Sequence, residues 1–230
     1  MAAAFALLAP CLAGPVRGQV AVSVTAQSDY QYRGVTLSDG RPALSLDVGY
    51  DHPSGAYAGA SVIGVTGPGG NPQVLGYVVY AGWSARLTPA LAWDVGVSNA
   101  RYTEPTSDAY KADDTEVYAG LIAQNVSAHI YYSPNYLGED AAALYLDVDG
   151  TVRLARRWRL FGHVGELAAL DGGAGLGGAR DYFDIRGGVA FAFRNGEVRL
   201  AWSHVGPRPS YDSGYPEARD GMTLGATYGF

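Results

Sequence analysis

Cysteine is almost missing from this chain. Among 230 residues there is one, Cys11, and it lies in an apolar leader expected to be cleaved. The expected mature chain therefore has no disulfide, no thiol nucleophile and no cysteine metal ligand. No internal apolar run reaches the ~18–20 residues that a membrane-crossing helix needs. Basic residues are scarce: 16 Lys+Arg against 22 Asp+Glu give a formal charge of −6. No basic stripe is present, which excludes nucleic acid as a partner. No phosphate loop or dinucleotide fingerprint occurs, and the glycines of residues 172–178 lack the strand–turn–helix setting such motifs require.

Glycine (32) and tyrosine (17) are abundant instead. The glycines follow no Gly-X-Y period. Tyrosine suits strands and membrane interfaces, where one end of the ring is apolar and the other wet. Residues 1–18 read as a signal peptide, with an apolar stretch from Ala2 to Leu12 and small residues near Gly18. Pro10 before Cys11 argues against lipidation. Residues 19–230 form the expected domain.

That domain alternates apolar and polar residues with a period of two, the signature of strands with unlike faces. At the C-terminus Met222, Leu224, Ala226, Tyr228 and Phe230 share one parity, with Gly and Thr on the other. A strand of this kind suits the closing strand of an outer-membrane barrel, and these five residues are assigned as a signal for the barrel-insertion machinery. Near the start, Val20, Val22, Val24, Ala26, Ser28, Tyr30 and Tyr32 oppose Ser23, Thr25, Gln27, Asp29, Gln31 and Arg33, which reads as one long strand. Tight turns are expected at His52–Gly55, Leu87–Ala90, Asn125, Ala155–Arg157 and Asn195-Gly196. Longer polar loops are expected at 103–114, 135–141, 169–180 and 207–220.

The count is about twelve strands with short turns at one end and longer loops at the other, as in outer-membrane barrels. The expected fold is therefore all-β, a transmembrane antiparallel up-and-down barrel. Trp83, Trp93 and Trp158 beside turns and Trp202 near a loop fit aromatic girdles at two rims. Tyr77 is expected to face lipid near mid-depth.

The run Ser28-Asp29-Tyr30-Gln31-Tyr32-Arg33-Gly34-Val35-Thr36-Leu37-Ser38, followed by Arg41-Pro42-Ala43, resembles the opening of the proteobacterial TorF porin family. Tyr50 to Gly59, Glu116 to Gly120, Tyr132-Ser133, Tyr136-Leu137-Gly138 and Asp181 to Asp184 extend the likeness. It implies an outer-membrane porin architecture in a Gram-negative cell and brings no catalytic residues with it.

With the polar faces inward, the lumen-lining residues are expected to be Asp29, Arg33, Asp47, Asp51, Asp94, Glu116, His129, Asp147, Asp149, Arg153, Arg159, His163, Asp184, Arg186, Glu197 and Arg199. Acids outnumber bases, which favours cations entering a confined pore. Small residues at Gly49, Gly96, Gly188, Ala190 and Ala201 are expected to leave room for water. The function read from this is passive diffusion of small hydrophilic solutes or ions, without a cofactor or bound metal. The chain would contact outer-membrane lipid and lipopolysaccharide. A barrel shut by salt-bridged side chains, or one whose external loops bind a partner, is the first alternative. A lipid hydrolase is the second: Ser127 and His129 have the spacing, but both fall on the inner face without an orienting third residue.

Overall fold

In a computed structural model the chain is described over residues 18–67, 69–103, 111–136, 142–170, 181–206 and 220–230. The expected signal peptide lies outside them except for Gly18. Among the described residues fourteen strands run in chain order: β1 (Gln19–Gln27), β2 (Gln31–Tyr32), β3 (Val35–Thr36), β4 (Ala43–Asp51), β5 (Ala56–Thr66), β6 (Pro72–Thr88), β7 (Leu91–Thr103), β8 (Lys111–Ala123), β9 (Val126–Ser133), β10 (Ala143–Arg153), β11 (Trp158–Ala169), β12 (Asp181–Phe193), β13 (Gly196–Gly206) and β14 (Asp220–Gly229). Twelve of them close into an antiparallel barrel in which each strand pairs with its sequence neighbour, β1 next to β4 and β14 sealing the cylinder against β1. At that seam Ser23 pairs with Gly229 and Ala26 with Ala226, and the Thr25 and Thr227 hydroxyls meet at 3.0 Å. Closure leaves the barrel sheet itself without an open edge.

Connections at one end are short: residues 52–55, 89–90, 124–125, 154–157 and 194–195. Both barrel termini lie at this turn end. At the opposite, loop end the wall is taller than its residues alone foretell. β7 runs through Thr103, and β8 starts at Lys111, so much of the loop expected at 103–114 is strand. What remains of that loop, residues 104–110, lies outside the described residues, as do 137–141, 171–180 and 207–219.

The barrel is inside out relative to a soluble one. Leu44, Leu46, Val48, Val79, Val95, Val97, Val117, Ile130, Leu146, Val164 and Leu224 are exposed on the outer wall. Asp94, Glu116, Asp147, His163, Asp184 and Glu197 are buried inside it. Water alone would not tolerate so continuous an apolar outer belt, whereas lipid would. Trp83, Trp158 and Trp202 are exposed on the outer face, the last stacked on His204. At the loop end the outer face turns polar: Asn99 donates to Asp113 (2.8 Å) and Thr115 (2.9 Å), and Arg101 pairs in register with both Tyr77 and Asp113. Tyr77 therefore faces outward at the edge of the apolar belt, not at its middle. Val97, set between Ala81 and Val117, lies deeper in the belt.

The inner wall couples glycine with aromatic rings. Tyr57 pairs with Gly82, Tyr80 with Gly59, Tyr118 with Gly96, His129 with Gly120 and Phe161 with Gly188. At each of these glycines an added Cβ would overlap the facing ring. The ring lies flat over the neighbour that has no side chain, the arrangement known as aromatic rescue. This corrects the expectation that Gly96 and Gly188 leave room for water: rings occupy that space.

A further correction concerns the long first strand. β1 stops at Gln27, and residues 28–42 turn into the barrel rather than continuing the wall. The alternation persists through Tyr32, but Arg33 (φ 47°) and Gly34 (φ 77°) take left-handed conformations and close a two-residue hairpin between β2 and β3. Positive φ at both turn positions is the requirement of a type I′ hairpin. Asp29 and Arg33 thus belong to this inward hairpin and not to the barrel wall.

Candidate functional site: the barrel interior and its inward hairpin

The hairpin is organised around Asp29. Its carboxylate accepts hydrogen bonds from Thr36 Oγ1 (2.5 Å), Ser38 Oγ (2.9 Å), the Gly40 amide (3.1 Å) and Gln31 Nε2 (3.0 Å). Ser38 Oγ in turn accepts from the Tyr30 amide at 2.8 Å, and the Leu37 amide donates to the Tyr30 carbonyl at 2.8 Å. These bonds all stay within the hairpin, so it is a folded unit of its own.

Its contacts with the wall are fewer. The Tyr30 and Tyr102 hydroxyls lie 3.2 Å apart. Tyr32 donates to Asp114 at 3.2 Å. Arg33 Nη2 donates to Glu116 Oε1 at 2.5 Å, with both side chains buried. The tip packs at Gly34 against Val205 on β13 and Asp184 on β12, so closely that a Cβ would collide with both. The hairpin therefore crosses the barrel from β1 to β8, β9 and β10, and its tip reaches β12 and β13.

Around the Arg33 guanidinium stand four tyrosine rings: Tyr145 at 3.9 Å, Tyr32 at 4.9 Å, and Tyr131 and Tyr136 each at 5.4 Å. Such distances are those of cation–π contacts. The Tyr136 and Tyr182 hydroxyls meet at 3.1 Å, and Ser133 Oγ donates to Asp114 at 2.6 Å. Among the described residues Arg33 Nε and Nη1, both buried, have no hydrogen-bond partner, so the rings carry much of the contact. Removal from water pushes the Tyr32 and Tyr136 phenols well above their ordinary range. They stay neutral and hold no charge against Arg33.

Beneath this layer lies a band of alternating acids and histidines. Tyr57 donates to Asp94. His129 Nε2 faces Asp94 at 3.5 Å, and its Nδ1 faces Asp147 at 3.6 Å. His163 Nδ1 faces Asp149 at 3.0 Å, its Nε2 faces Asp184 at 3.1 Å, and Tyr145 donates to Asp184 at 2.8 Å. Ser61 donates to Asp47 at 2.5 Å. Near the turn end, Arg159 and Arg199 both pair with Glu197, and Arg199 also lies over the Phe161 ring at 5.5 Å. Arg153, which pairs in register with Arg159, sits at the turn-end mouth, and Arg186 lies between His163 and Ser203.

Asp147, Asp149 and His163 bring donor atoms within 4.8 Å of one another. These three could hold a divalent cation, a grouping that linear spacing did not show. In the structure the His163 nitrogens are already engaged by Asp149 on one side and Asp184 with Tyr145 on the other. Of the hydrolase candidates, His129 turns both ring nitrogens towards carboxylates. Ser127 is buried on the same inner face. Asp114 was missed as an interior residue because it was assigned to a loop. The alternation Asp114, Glu116, Tyr118 on one parity was the signal that places it on a strand.

This fold, a closed twelve-stranded antiparallel barrel, is shared with outer-membrane porins. The NanC porin superposes with a TM-score of 0.58 over 92% of this chain and 99% of that one, at 9% identity. The KdgM porin does so with 0.56 over 91% and 99%, at 10% identity. An outer-membrane channel from Pseudomonas putida F1 gives 0.51 over 94% and 96%, at 11% identity. No curated protein matches the chain in sequence. The family pattern described as a bacterial protein of unknown function, Gcw_chp, matches residues 13–223. The chain belongs to the Gcw_chp family.

Proposed function

We propose that the chain is an outer-membrane porin-like channel for passive diffusion of small hydrophilic solutes or ions, with a mild preference for cations. One observation carries the reading: an apolar outer belt encloses an interior lined by titratable side chains and crossed by an inward hairpin. Asp47, Asp94, Glu116, Asp147, Asp149, Asp184 and Glu197 outnumber the inward arginines, and fixed negative charge in a confined lumen biases entry towards cations. The porin fold of the structural neighbours supports a channel rather than an enzyme. One neighbour is recorded in complex with oligogalacturonate. That ligand is a polyanion, and the acidic interior of this chain would disfavour it.

The finer assignment is to the TorF porins, supported by the run from Ser28 to Ser38, which builds the hairpin. Residues 1–18 serve as the signal peptide that delivers the chain to the periplasm. Met222, Leu224, Ala226, Tyr228 and Phe230, all exposed on the outer face, are the residues offered to the insertion machinery. The barrel then resides in the Gram-negative outer membrane, against lipid and lipopolysaccharide. The test is conductance of the refolded mature protein in a planar bilayer. Reproducible steps with cation-favouring reversal potentials, diminished by Asp94→Asn and Asp147→Asn, support the channel. A closed structural barrel is the second reading, favoured by the deep burial of Tyr32, Arg33, Asp114, Glu116, Tyr136 and Tyr145 around the hairpin. A folded, inserted protein that passes no current would establish it.

A further inference from the structure

The geometry points to a binding site for organic cations in the barrel wall, occupied in the resting structure by the guanidinium of Arg33. The inference rests on the channel reading above and names the chemistry of one site within it. Three rings of the site belong to the wall and its loop: Tyr131 on β9, Tyr145 on β10 and Tyr136 just after β9. Two carboxylates, Glu116 and Asp114, both on β8, flank them and are buried. Rings that present their π-faces to one point, with carboxylates beside them, make the recognition chemistry of ammonium and guanidinium groups.

Two details separate this from an ordinary structural arginine. First, among the described residues Arg33 uses a single hydrogen bond to the wall, from Nη2 to Glu116, while Nε and Nη1 have none. The cage therefore holds charge and a flat or rounded cation. It does not read the guanidinium fork, and a cation with no donors satisfies it equally. Second, Arg33 stands at the first position of a hairpin turn with φ 47°, where Asn, Asp or Gly would be less strained. A side chain placed against backbone preference is there for what its head group meets. Because the Asp29-centred bonds are internal to the hairpin, the hairpin can withdraw as a body. Its departure exposes the three wall rings and two carboxylates to a solute entering from the loop end. Arg33 is thus a tethered competitor for the cation that the channel passes.

The test compares wild type, Arg33→Asn, and Arg33→Asn combined with Tyr145→Leu, using tetramethylammonium chloride as probe. Asn suits the turn, so the hairpin keeps its fold while the cage loses its occupant. In planar bilayers in KCl, Arg33→Asn is expected to conduct more than wild type. Tetramethylammonium should block it at concentrations that leave wild type unaffected. Adding Tyr145→Leu should weaken that block roughly tenfold or more, the loss of one desolvated ring contact. If Arg33→Asn conducts and the probe blocks it no better than the double variant, the cage is refuted and the channel stands. If neither protein conducts, the channel reading fails. Thermal melting in detergent then decides the cage alone: a probe-dependent rise in melting temperature in Arg33→Asn, absent from the double variant, supports it, and no rise refutes it. Heat-modifiable gel mobility confirms that each variant is folded.

Discussion

Substituting arginine on the outer wall tests the orientation of the barrel, and depth sets the magnitude. Val97 is 44% exposed and has Ala81 and Val117 as its neighbours in register, both apolar. An arginine there would have to hold its charge in hydrocarbon. At mid-belt this costs about 2–4 kcal/mol, falling to about 0–1 kcal/mol near the interfaces. Tyr77 also faces outward, but Arg101 lies next to it in register and the rim is near. Val97→Arg should therefore lower the folding equilibrium in vesicles by roughly 30- to 1000-fold, and Tyr77→Arg by no more than about fivefold. Asp47→Asn inside the barrel keeps an acceptor for Ser61 and should cost under about 1 kcal/mol. The assay is reversible denaturant titration of the refolded protein in phospholipid vesicles, followed by tryptophan fluorescence and gel mobility. If Val97→Arg were silent and Asp47→Asn abolished folding, the apolar face would be the inside of a soluble barrel and the reasoning would be wrong.

Gly82→Ala should destabilise by about 1–3 kcal/mol, because its Cβ would meet the Val95 carbonyl as well as the Tyr57 ring, whereas Gly49→Ala, with only Tyr80 Oη at 3.8 Å, should be nearly neutral in the same titration. Asp29→Ala removes the acceptor of four hydrogen bonds and should loosen the hairpin, seen as noisier or larger single-channel currents and faster proteolysis at residues 28–42. In protein produced from Gln19 onward, which lacks Cys11, single cysteines at Val97 and Asp94 should differ in labelling of the vesicle-inserted protein: a lipid-soluble maleimide should favour the first and a small charged methanethiosulfonate the second. Equal labelling by both reagents would contradict the two-faced wall.

Much of the wall was legible because its signal is local. A strand's faces alternate every residue, so Leu44–Leu46–Val48 or Met222–Leu224–Ala226 show a two-faced strand without any knowledge of partners. Turn chemistry at His52–Gly55 and Asn195-Gly196 likewise sits within a few residues. Alternation alone leaves open which face is inside; the pattern of short turns and long loops argued for lipid outside, and the burial of Asp94 and Asp184 agrees.

The interior was another matter. Alternation carried the first strand through to Arg33, because parity cannot register that a chain has left the wall when its residues go on alternating. What turns residues 28–42 inward is a set of partners far along the chain: Tyr102 for Tyr30, Asp114 for Tyr32, Glu116 for Arg33, Asp184 and Val205 for Gly34. The same holds for Gly96 and Gly188, read as space for water, since the ring that fills each one stands on the neighbouring strand. Sequence by itself determined the twelve-stranded alternation, the turns and the acidic inner face, for these follow from backbone geometry and residue type. Only the tertiary structure decided that a hairpin crosses the barrel and that tyrosines close around Arg33, because those contacts exist only once the cylinder has brought distant strands face to face.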